Sequence, residues 1–182
     1  MKQNATLLSA VEIADIIEIL AGEIADDFAG RQLQLLGLLK GCQPFMADLS
    51  RALCRLNLSL AIFYLHARSY IGRQPGGMVK LTAASLVDNL SPTRPILLLD
   101  DIFDTGETIR QVAAMLKSQG FSEVKVCVLL QKKGREDHAG LVDYCGTLIP
   151  DKFVVGYGLD YQEKFRELPY LMILPPEEAG YL

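Results

Sequence analysis

Acidic and small residues follow directly on a short apolar segment, and their types and spacing suit the binding of a phosphorylated sugar. The apolar segment is residues 96–99, bounded by Pro95, and the residues that follow it are Asp100, Asp101, Asp104, Thr105, Gly106, Glu107 and Thr108. Four apolar residues in this setting are typical of a strand buried on both faces, as in the centre of a parallel sheet. Helical spacing of apolar residues begins at Ile109. The turn between strand and helix therefore offers backbone N–H groups without intrahelical partners, which attract an anion together with the helix dipole.

The paired carboxylates of this segment need a partner other than the phosphate, which they would repel. Sugar hydroxyls and Mg²⁺ are the partners that suit them, since Mg²⁺ prefers hard oxygen ligands. We therefore predict a site for a phosphorylated sugar with a divalent cation. The structural alternative is that Asp100, Asp101 and Asp104 only end the strand and cap the helix. Neither a Walker loop nor a GxGxxG after a strand is present.

Alternating strands and helices are expected to position this turn. Ser9 and Glu12 form a capping-box pattern that predicts a helix ending at Gly30, and a second helix is predicted after Gly41. The alternation predicts a mainly parallel sheet flanked by helices, with right-handed crossovers. Residues 66–77 are polar and glycine-rich, which predicts a mobile loop. Strands are predicted at residues 33–39, 58–65, 96–99, 124–130, 145–149, 153–155 and 171–174, with a further extended segment at 78–84.

Several polar residues outside the turn follow directly on other predicted strands. These residues are Lys40, Gly41, Ser69, Tyr70 and Lys132. Ligands of open α/β sheets bind beyond the carboxyl ends of the strands. Because independent segments converge on that edge, we expect one active site there.

Length and composition indicate one globular domain over residues 1–182, with half of its residues apolar. The net charge of −4 argues against a nucleic-acid surface. No apolar stretch approaches the roughly 18 residues that span a bilayer, and acidic residues interrupt any signal-peptide pattern at the amino terminus. The four cysteines show no CxxC spacing, and Cys127 lies in an apolar run that predicts a buried thiol. We expect a cytoplasmic protein with reduced cysteines.

The segment around Asp100 to Thr108 resembles the 5-phosphoribosyl 1-pyrophosphate motif of type I phosphoribosyltransferases. Over most of its length the chain is similar to the hypoxanthine-guanine phosphoribosyltransferases. The further matches are the sequences LLKG at 38–41, RSY at 68–70, LLQK at 129–132, and PDKFVVGYGLDY at 150–161 with its continuation to Arg166. The resemblance implies a type I phosphoribosyltransferase core with a small hood and a mobile lid. It also implies Mg²⁺-dependent transfer of phosphoribose to N9 of hypoxanthine or guanine, yielding IMP or GMP and pyrophosphate.

The resemblance assigns the phosphate turn and the catalytic group. Thr105, Gly106, Glu107 and Thr108 would hold the ribose 5-phosphate with Asp104, which would also act as the general base at purine N7. The alternative is that Asp104 only caps the helix. Relatives often carry Lys, Asn or Arg at position 107, so the side chain of Glu107 is expected to point away from the phosphate.

The resemblance also assigns the ribose, metal and pyrophosphate contacts. Asp100 and Asp101 would contact ribose hydroxyls and Mg²⁺, although relatives usually have Glu at position 100. Lys40 and Gly41 would form the pyrophosphate loop, with a cis peptide between Leu39 and Lys40. The remaining assignments are a pyrophosphate contact by Arg166 and a lid containing Ser69 and Tyr70.

The purine contacts complete the assignment. Lys132 would recognise the 6-oxo group, which adenine lacks, and its alternative is a solvated turn residue. Phe153 would stack on the purine and Val154 would contact its edge through the backbone, although a strand phenylalanine is more often a core residue. Asp160 would lie at the purine and metal sites.

Two functions other than catalysis remain open from the residues alone. A regulator could use the same pocket to sense 5-phosphoribosyl 1-pyrophosphate, and an α/β domain could bind a nucleotide without chemistry. The negative charge and the intact purine segment favour the enzyme. Members of the family form homodimers or homotetramers, and we expect the same here.

Overall fold

A computed structural model describes residues 6–69, 79–81, 89–134 and 140–175, with side chains of 67–69 and 79–81 outside the description. The helices are α1 (Ala10–Asp27), α2 (Gln43–Arg55) and α3 (Glu107–Ser118). The strands are β1 (Thr6–Leu8), β2 (Gln32–Leu39), β3 (Ser59–Ser69), β4 (Val79–Leu81), β5 (Ile96–Phe103), β6 (Val124–Lys132), β7 (Tyr144–Ile149), β8 (Val154–Val155) and β9 (Leu171–Ile173).

The main sheet has the strand order β4-β3-β2-β5-β6-β7. All its pairings are parallel except that of β4 with β3. Its apolar strands are buried on both faces, by α1 and α2 on one side and by α3 on the other. This confirms the predicted α/β fold with a mainly parallel sheet flanked by helices.

Gln34 is a polar residue in the middle of this apolar packing, with 1% of its surface exposed. Its amide nitrogen donates to the carbonyl oxygens of Ser91 and Arg94 at 2.9 and 3.2 Å, and its amide oxygen accepts the N–H of Ser91 at 2.7 Å. Buried polar groups are tolerated when they are paired in this way. Gln34 thus anchors the loop that leads into β5, the strand that carries Asp100 and Asp101, here called the acidic pair.

A second, three-stranded sheet lies beside the main one, in the order β1-β9-β8 with antiparallel pairing. It corresponds to the expected hood. The sequence did not lead us to predict β1, because three residues are too few to show a periodic pattern.

Local signals located most elements correctly. The capping box at Ser9 is present, with the Ser9 hydroxyl and the Glu12 carboxylate bonded to each other's backbone N–H groups. Helix α1 ends at Asp27 and not at Gly30, where the chain already turns with φ +73°. Cys127 is buried as predicted. Among the described helices, none is both long and apolar enough to cross a membrane.

Three strands continue beyond their predicted carboxyl ends. Strand β3 continues to Ser69, where a loop was expected, because 67–69 pair with the returning strand β4. Strand β5 continues through Asp100 and Asp101 to Phe103, and β6 continues through Lys132, because each keeps its hydrogen bonds to a parallel neighbour. The remainder of the predicted lid, including Tyr70, lies outside the described residues.

Candidate active site

A cavity of about 330 Å³ opens at the carboxyl edge of the parallel strands. It collects most of the residues that the sequence analysis singled out. Those among its lining are Lys40, Gly41, Asp100, Asp101, Asp104, Thr108, Lys132, Phe153, Val154, Asp160 and Arg166. Thr105, Gly106 and Glu107 are outside this lining, and the side chains of Ser69 and Tyr70 are outside the description.

The phosphate turn joins β5 to α3 and brings Asp104 and Thr108 to the cavity. Gly106 adopts a left-handed conformation with φ +69°, and a Cβ there would lie 2.6 Å from the ring of Phe103. Only glycine fits this combination of backbone shape and close packing. The residue thus shapes the start of α3, where the Glu107 N–H donates to Thr105 Oγ1 at 3.4 Å and the first N–H groups lack intrahelical acceptors.

The side chain of Glu107 bonds to two residues of its own helix. Its carboxylate accepts a 2.6 Å hydrogen bond from Gln111 and forms an ion pair with Arg110. The hydrogen bonds from Gln111 and Arg110 lower the pKa of Glu107. The carboxylate therefore stays ionised within the first turn, where it favours the helix dipole but opposes a bound phosphate.

Asp100 and Asp101 lie side by side near the end of β5. Asp100 Oδ1 accepts the N–H of Asp101 at 3.0 Å, and Asp101 Oδ1 accepts the N–H of Ile102 at 2.9 Å. Burial, followed by the charge of Asp101, raises the pKa of Asp100 well above its ordinary value. Burial also raises the pKa of Asp101. Two adjacent carboxylates in this environment need a proton or a cation to offset their charge.

The donor set fits Mg²⁺ if the substrate supplies further oxygen ligands. Within the described ranges, no three acidic, histidine or cysteine side chains converge to hold a metal ion. Asp160 is engaged elsewhere, with Oδ1 2.6 Å from Arg166 Nη2 and Oδ2 accepting the N–H of Glu163 at 2.8 Å. Mg²⁺ commonly binds one or two carboxylates together with substrate phosphates and waters. The acidic pair suits that mode better than a closed protein cage.

The loop after β2 brings Lys40 and Gly41 against the acidic pair. The peptide bond between Leu39 and Lys40 is cis, which confirms the hypothesis drawn from the resemblance. Lys40 Nζ lies 3.1 and 3.2 Å from the two carboxylate oxygens of Glu163. Gly158 packs on this loop, since a Cβ at Gly158 would come within 1.9 Å of the Gly41 carbonyl oxygen.

Lys132 ends β6 with 14% of its side chain exposed. Its Nζ lies 3.1 Å from Asp104 Oδ2 and 3.4 Å from Asp151 Oδ1. Two carboxylates from different loops thus hold the ammonium group at the cavity wall. The interpretation of Lys132 as a freely solvated turn residue is wrong, because the residue belongs to a strand and is largely buried.

The aromatic wall of the cavity comes from the hood. Phe153 is half-buried and meets Tyr161 edge to face, with ring centroids 5.9 Å apart and planes at 86°. Val154 begins β8 and is buried. The Phe153 carbonyl accepts the N–H of Leu174 at 2.9 Å, which secures this segment to the chain after β9.

Arg166 enters the cavity from the loop between β8 and β9. Its guanidinium donates to the Gly158 carbonyl oxygen at 2.7 Å and lies 3.4 Å from Glu163 Oε2. The sequence analysis missed Glu163 and Asp151, although both lie in the matched segment. Their proximity in sequence to Asp160 and Arg166 was the one available signal. The contact of Glu163 with Lys40 joins residues 123 positions apart, so no local sequence pattern marks it.

A further contact between the hood and α2 was also missed. The Tyr157 hydroxyl donates a 2.6 Å hydrogen bond to Asp48 Oδ2. Tyr157 is buried and has φ +45°, so its side chain and its backbone are both constrained. This contact fixes the loop that carries Asp160 relative to the helix that follows Lys40.

Comparison with known proteins shows the same architecture elsewhere. Residues 3–162 match the family described as Phosphoribosyl transferase domain. The hypoxanthine-guanine phosphoribosyltransferase of Staphylococcus aureus is 34% identical over 94% of this chain and 93% of its own length. The bifunctional protein TilS/HprT of Listeria innocua is 35% identical over 94% of this chain, which spans only 26% of that protein.

Solved structures give the same result. A hypoxanthine phosphoribosyltransferase from Staphylococcus aureus superposes with a TM-score of 0.85 at 34% identity, covering 95% of this chain and 92% of that one. The Trypanosoma cruzi hypoxanthine phosphoribosyltransferase in complex with the product IMP superposes with a TM-score of 0.82 at 32% identity, covering 97% of each chain.

Proposed function

This chain belongs to the hypoxanthine-guanine phosphoribosyltransferase family, and from that premise we propose that it salvages 6-oxopurines. The reaction transfers phosphoribose from 5-phosphoribosyl 1-pyrophosphate to N9 of hypoxanthine or guanine, and it releases IMP or GMP with pyrophosphate. The observation that carries the proposal is one cavity, lined by residues of the phosphate turn, the acidic pair, the Lys40 loop and the wall formed by Phe153 and Val154. The proposal treats residues 1–182 as a single phosphoribosyltransferase domain.

Asp104 and Lys132 would act on neighbouring atoms of the purine. Their side chains lie 3.1 Å apart across the cavity wall. In a 6-oxopurine, N7 and the 6-oxo oxygen are adjacent, so one group can handle the proton at N7 while the other donates to the oxygen. The pairing supports Asp104 as general base and Lys132 as the group that selects against adenine, whose exocyclic amine offers no comparable acceptor.

The remaining contacts would orient the donor and exclude water. The N–H groups of 105–108 would bind the 5-phosphate, and Asp100 and Asp101 would contact the ribose hydroxyls. Lys40, Gly41 and Arg166 would bind the pyrophosphate, and Phe153 and Val154 would position the base. Catalysis then rests on orientation and on electrostatic stabilisation of the charge that develops as the glycosidic bond breaks.

Mg²⁺ is the cofactor that we propose at the acidic pair, with Asp160 as a further carboxylate near the purine and pyrophosphate. When bound, it would neutralise charge on the departing pyrophosphate. Two adjacent carboxylates with raised pKa values support a cation at this position.

Location and assembly complete the proposal. All four cysteines are free, which suits the reducing cytoplasm. We propose a homodimer or homotetramer by analogy with the family. No observation on the described residues favours the alternative of a sensor without turnover.

The proposal is tested by incubating the protein with 5-phosphoribosyl 1-pyrophosphate, Mg²⁺ and each of hypoxanthine, guanine, xanthine and adenine, and measuring nucleoside monophosphate. We expect turnover with hypoxanthine or guanine and little with adenine. Asp104→Asn should lower kcat about 100-fold or more, the size of a general-base contribution. Binding of the donor without product from any purine would instead favour the sensor.

A further inference from the structure

The cations of the candidate pyrophosphate site are bonded to a carboxylate of the protein itself. Glu163 lies between the two cations assigned to pyrophosphate, with its oxygens 3.1 and 3.2 Å from Lys40 Nζ and its Oε2 3.4 Å from Arg166 Nε. Lys40 and Arg166 both line the cavity, although they lie far apart in the sequence. A single carboxylate thus links the β2 loop to the hood at the place where an anionic ligand would bind.

The backbone around Glu163 holds the carboxylate in this position. Gln162 and Glu163 are non-glycine residues with φ of +51° and +63°, a conformation that L side chains rarely adopt. Asp160 Oδ2 accepts the N–H of Glu163 at 2.8 Å, and Tyr161 and Lys164 form an isolated bridge around the turn. Rare backbone conformations of this kind concentrate at functional sites.

The negative charge of Glu163 matches that of a pyrophosphate oxygen. The hydrogen bond from Lys40 lowers the pKa of Glu163, so the side chain is an anion throughout the neutral range. A pyrophosphate oxygen would need the same Lys40 and Arg166 donors that Glu163 occupies. Both cannot hold these donors in full, and a second anion beside Glu163 would also be repelled.

We propose that Glu163 is an affinity-determining residue that pyrophosphate displaces from Lys40 and Arg166, so that it weakens pyrophosphate binding and favours product release. The inference rests on the proposed function, since it takes Lys40 and Arg166 as pyrophosphate ligands. The Lys40–Glu163 pair is about half exposed, with 49% and 64% of the two side chains accessible. Its contribution is therefore that of a surface ion pair and not of a buried one.

The experiment measures binding of magnesium pyrophosphate by calorimetry to the wild type, Glu163→Gln, Glu163→Asp and Glu167→Gln. Glu163→Gln should bind about two- to fivefold more tightly, the range that an exposed ion pair sets. Glu163→Asp keeps the charge and should remain close to the wild type. Glu167→Gln removes an exposed carboxylate from the same loop and controls for net charge.

Two further readouts separate displacement from a structural role. In steady-state assays Glu163→Gln should lower KM for 5-phosphoribosyl 1-pyrophosphate and leave KM for the purine unchanged. Raising the ionic strength should reduce the difference in pyrophosphate affinity between Glu163→Gln and the wild type, because salt screens exposed charges. A loss of folding in Glu163→Gln would lower both affinities together, whereas Glu163→Asp would still report on the charge.

The inference is overturned if Glu163→Gln binds magnesium pyrophosphate as the wild type does or more weakly, or if Glu167→Gln tightens binding equally. Failure of the proposed function gives a different result. In that case the wild type itself would not bind magnesium pyrophosphate, or Lys40→Met would bind it as well as the wild type.

Discussion

Gly41 and Asp101 are packed so closely that a Cβ on Gly41 would lie 1.6 Å from Asp101 Oδ2. The loop after β2 therefore contacts the Asp101 carboxylate through the backbone of Gly41, with no side chain between them. Any side chain at position 41 must displace either the loop that carries Lys40 or the acidic pair.

Gly41→Ala should lower kcat/KM for the donor about 100-fold, because a displacement of about 1 Å in a catalytic site has that effect. Steady-state assays with varied 5-phosphoribosyl 1-pyrophosphate measure it. Gly22→Ala is the matched control, since a Cβ at Gly22 in α1 meets no atom within 4 Å. That change should raise the free energy of unfolding by about 0.5–1 kcal/mol and preserve activity. Full activity in Gly41→Ala would contradict the close packing.

Asp100→Asn should make the ligand-free protein less sensitive to pH. The pKa of Asp100 is raised in the folded state, so the folded protein keeps this proton where the unfolded chain, with a pKa of about 3.9, loses it. This tighter proton binding stabilises the folded protein fully below the ordinary pKa of Asp100. The stabilisation is lost as pH rises through the raised pKa. Tm measured against pH in a metal chelator should thus fall towards neutral pH in the wild type and fall less in the variant.

The same Asp100→Asn variant should lose activity, because it lacks a carboxylate for the sugar or for Mg²⁺. Added Mg²⁺ should raise Tm of the wild type at neutral pH more than that of the variant, since the cation replaces the proton. Parallel Tm–pH curves for the two proteins would refute the role of Asp100 as a buried titrating group.

Lys132→Gln should raise KM for hypoxanthine at least about tenfold, the equivalent of one hydrogen bond from a charged donor. It should also narrow the preference for hypoxanthine over adenine, measured as the ratio of kcat/KM values. Lys133→Gln changes the exposed neighbour and should leave both quantities unchanged. An unchanged base preference in Lys132→Gln would argue against contact with the 6-oxo group.

Glu107→Gln should lower KM for 5-phosphoribosyl 1-pyrophosphate about two- to fivefold by removing a negative charge from the first turn of α3. It should also slightly reduce the free energy of unfolding, because the helix dipole favours a negative charge in the first turn. Kinetics at low and high salt, with denaturant titrations alongside, measure the two effects. A higher KM would show that Glu107 assists the phosphate site through Arg110 or Gln111.

Tyr157→Phe should reduce the free energy of unfolding by about 1.5–3 kcal/mol, because it removes a hydrogen bond to the Asp48 carboxylate from a buried side chain. Denaturant unfolding measures the loss. Tyr161→Phe is the control, since its hydroxyl accepts a 3.2 Å hydrogen bond from exposed Gln162. Equal stability of the two variants would mean that the Tyr157 contact does not secure the hood.

Features set by neighbours in sequence were predicted well. The Ser9 capping box, the strand–turn–helix around Gly106 and the buried run at Cys127 each depend on residues within one or two turns of chain. The phosphate turn is of the same kind, which is why its position at the sheet edge could be inferred.

Features set by distant partners were not predicted. The end of β3 depends on pairing with β4, and the burial of Lys132 depends on Asp104 and Asp151 from two other loops. Glu163 has no local pattern that marks it as the partner of Lys40. Such contacts arise from tertiary packing, for which periodicity carries no signal.

The order of the strands in the hood has a consequence for biosynthesis. Phe153 and Val154 lie beside β9, whose other neighbour is β1 from the opposite end of the chain. A nascent chain can assemble the parallel sheet and the phosphate turn once β7 has left the ribosome. The hood has to wait for 171–173 to emerge, so the wall proposed to bind the base is completed later than the proposed phosphate turn.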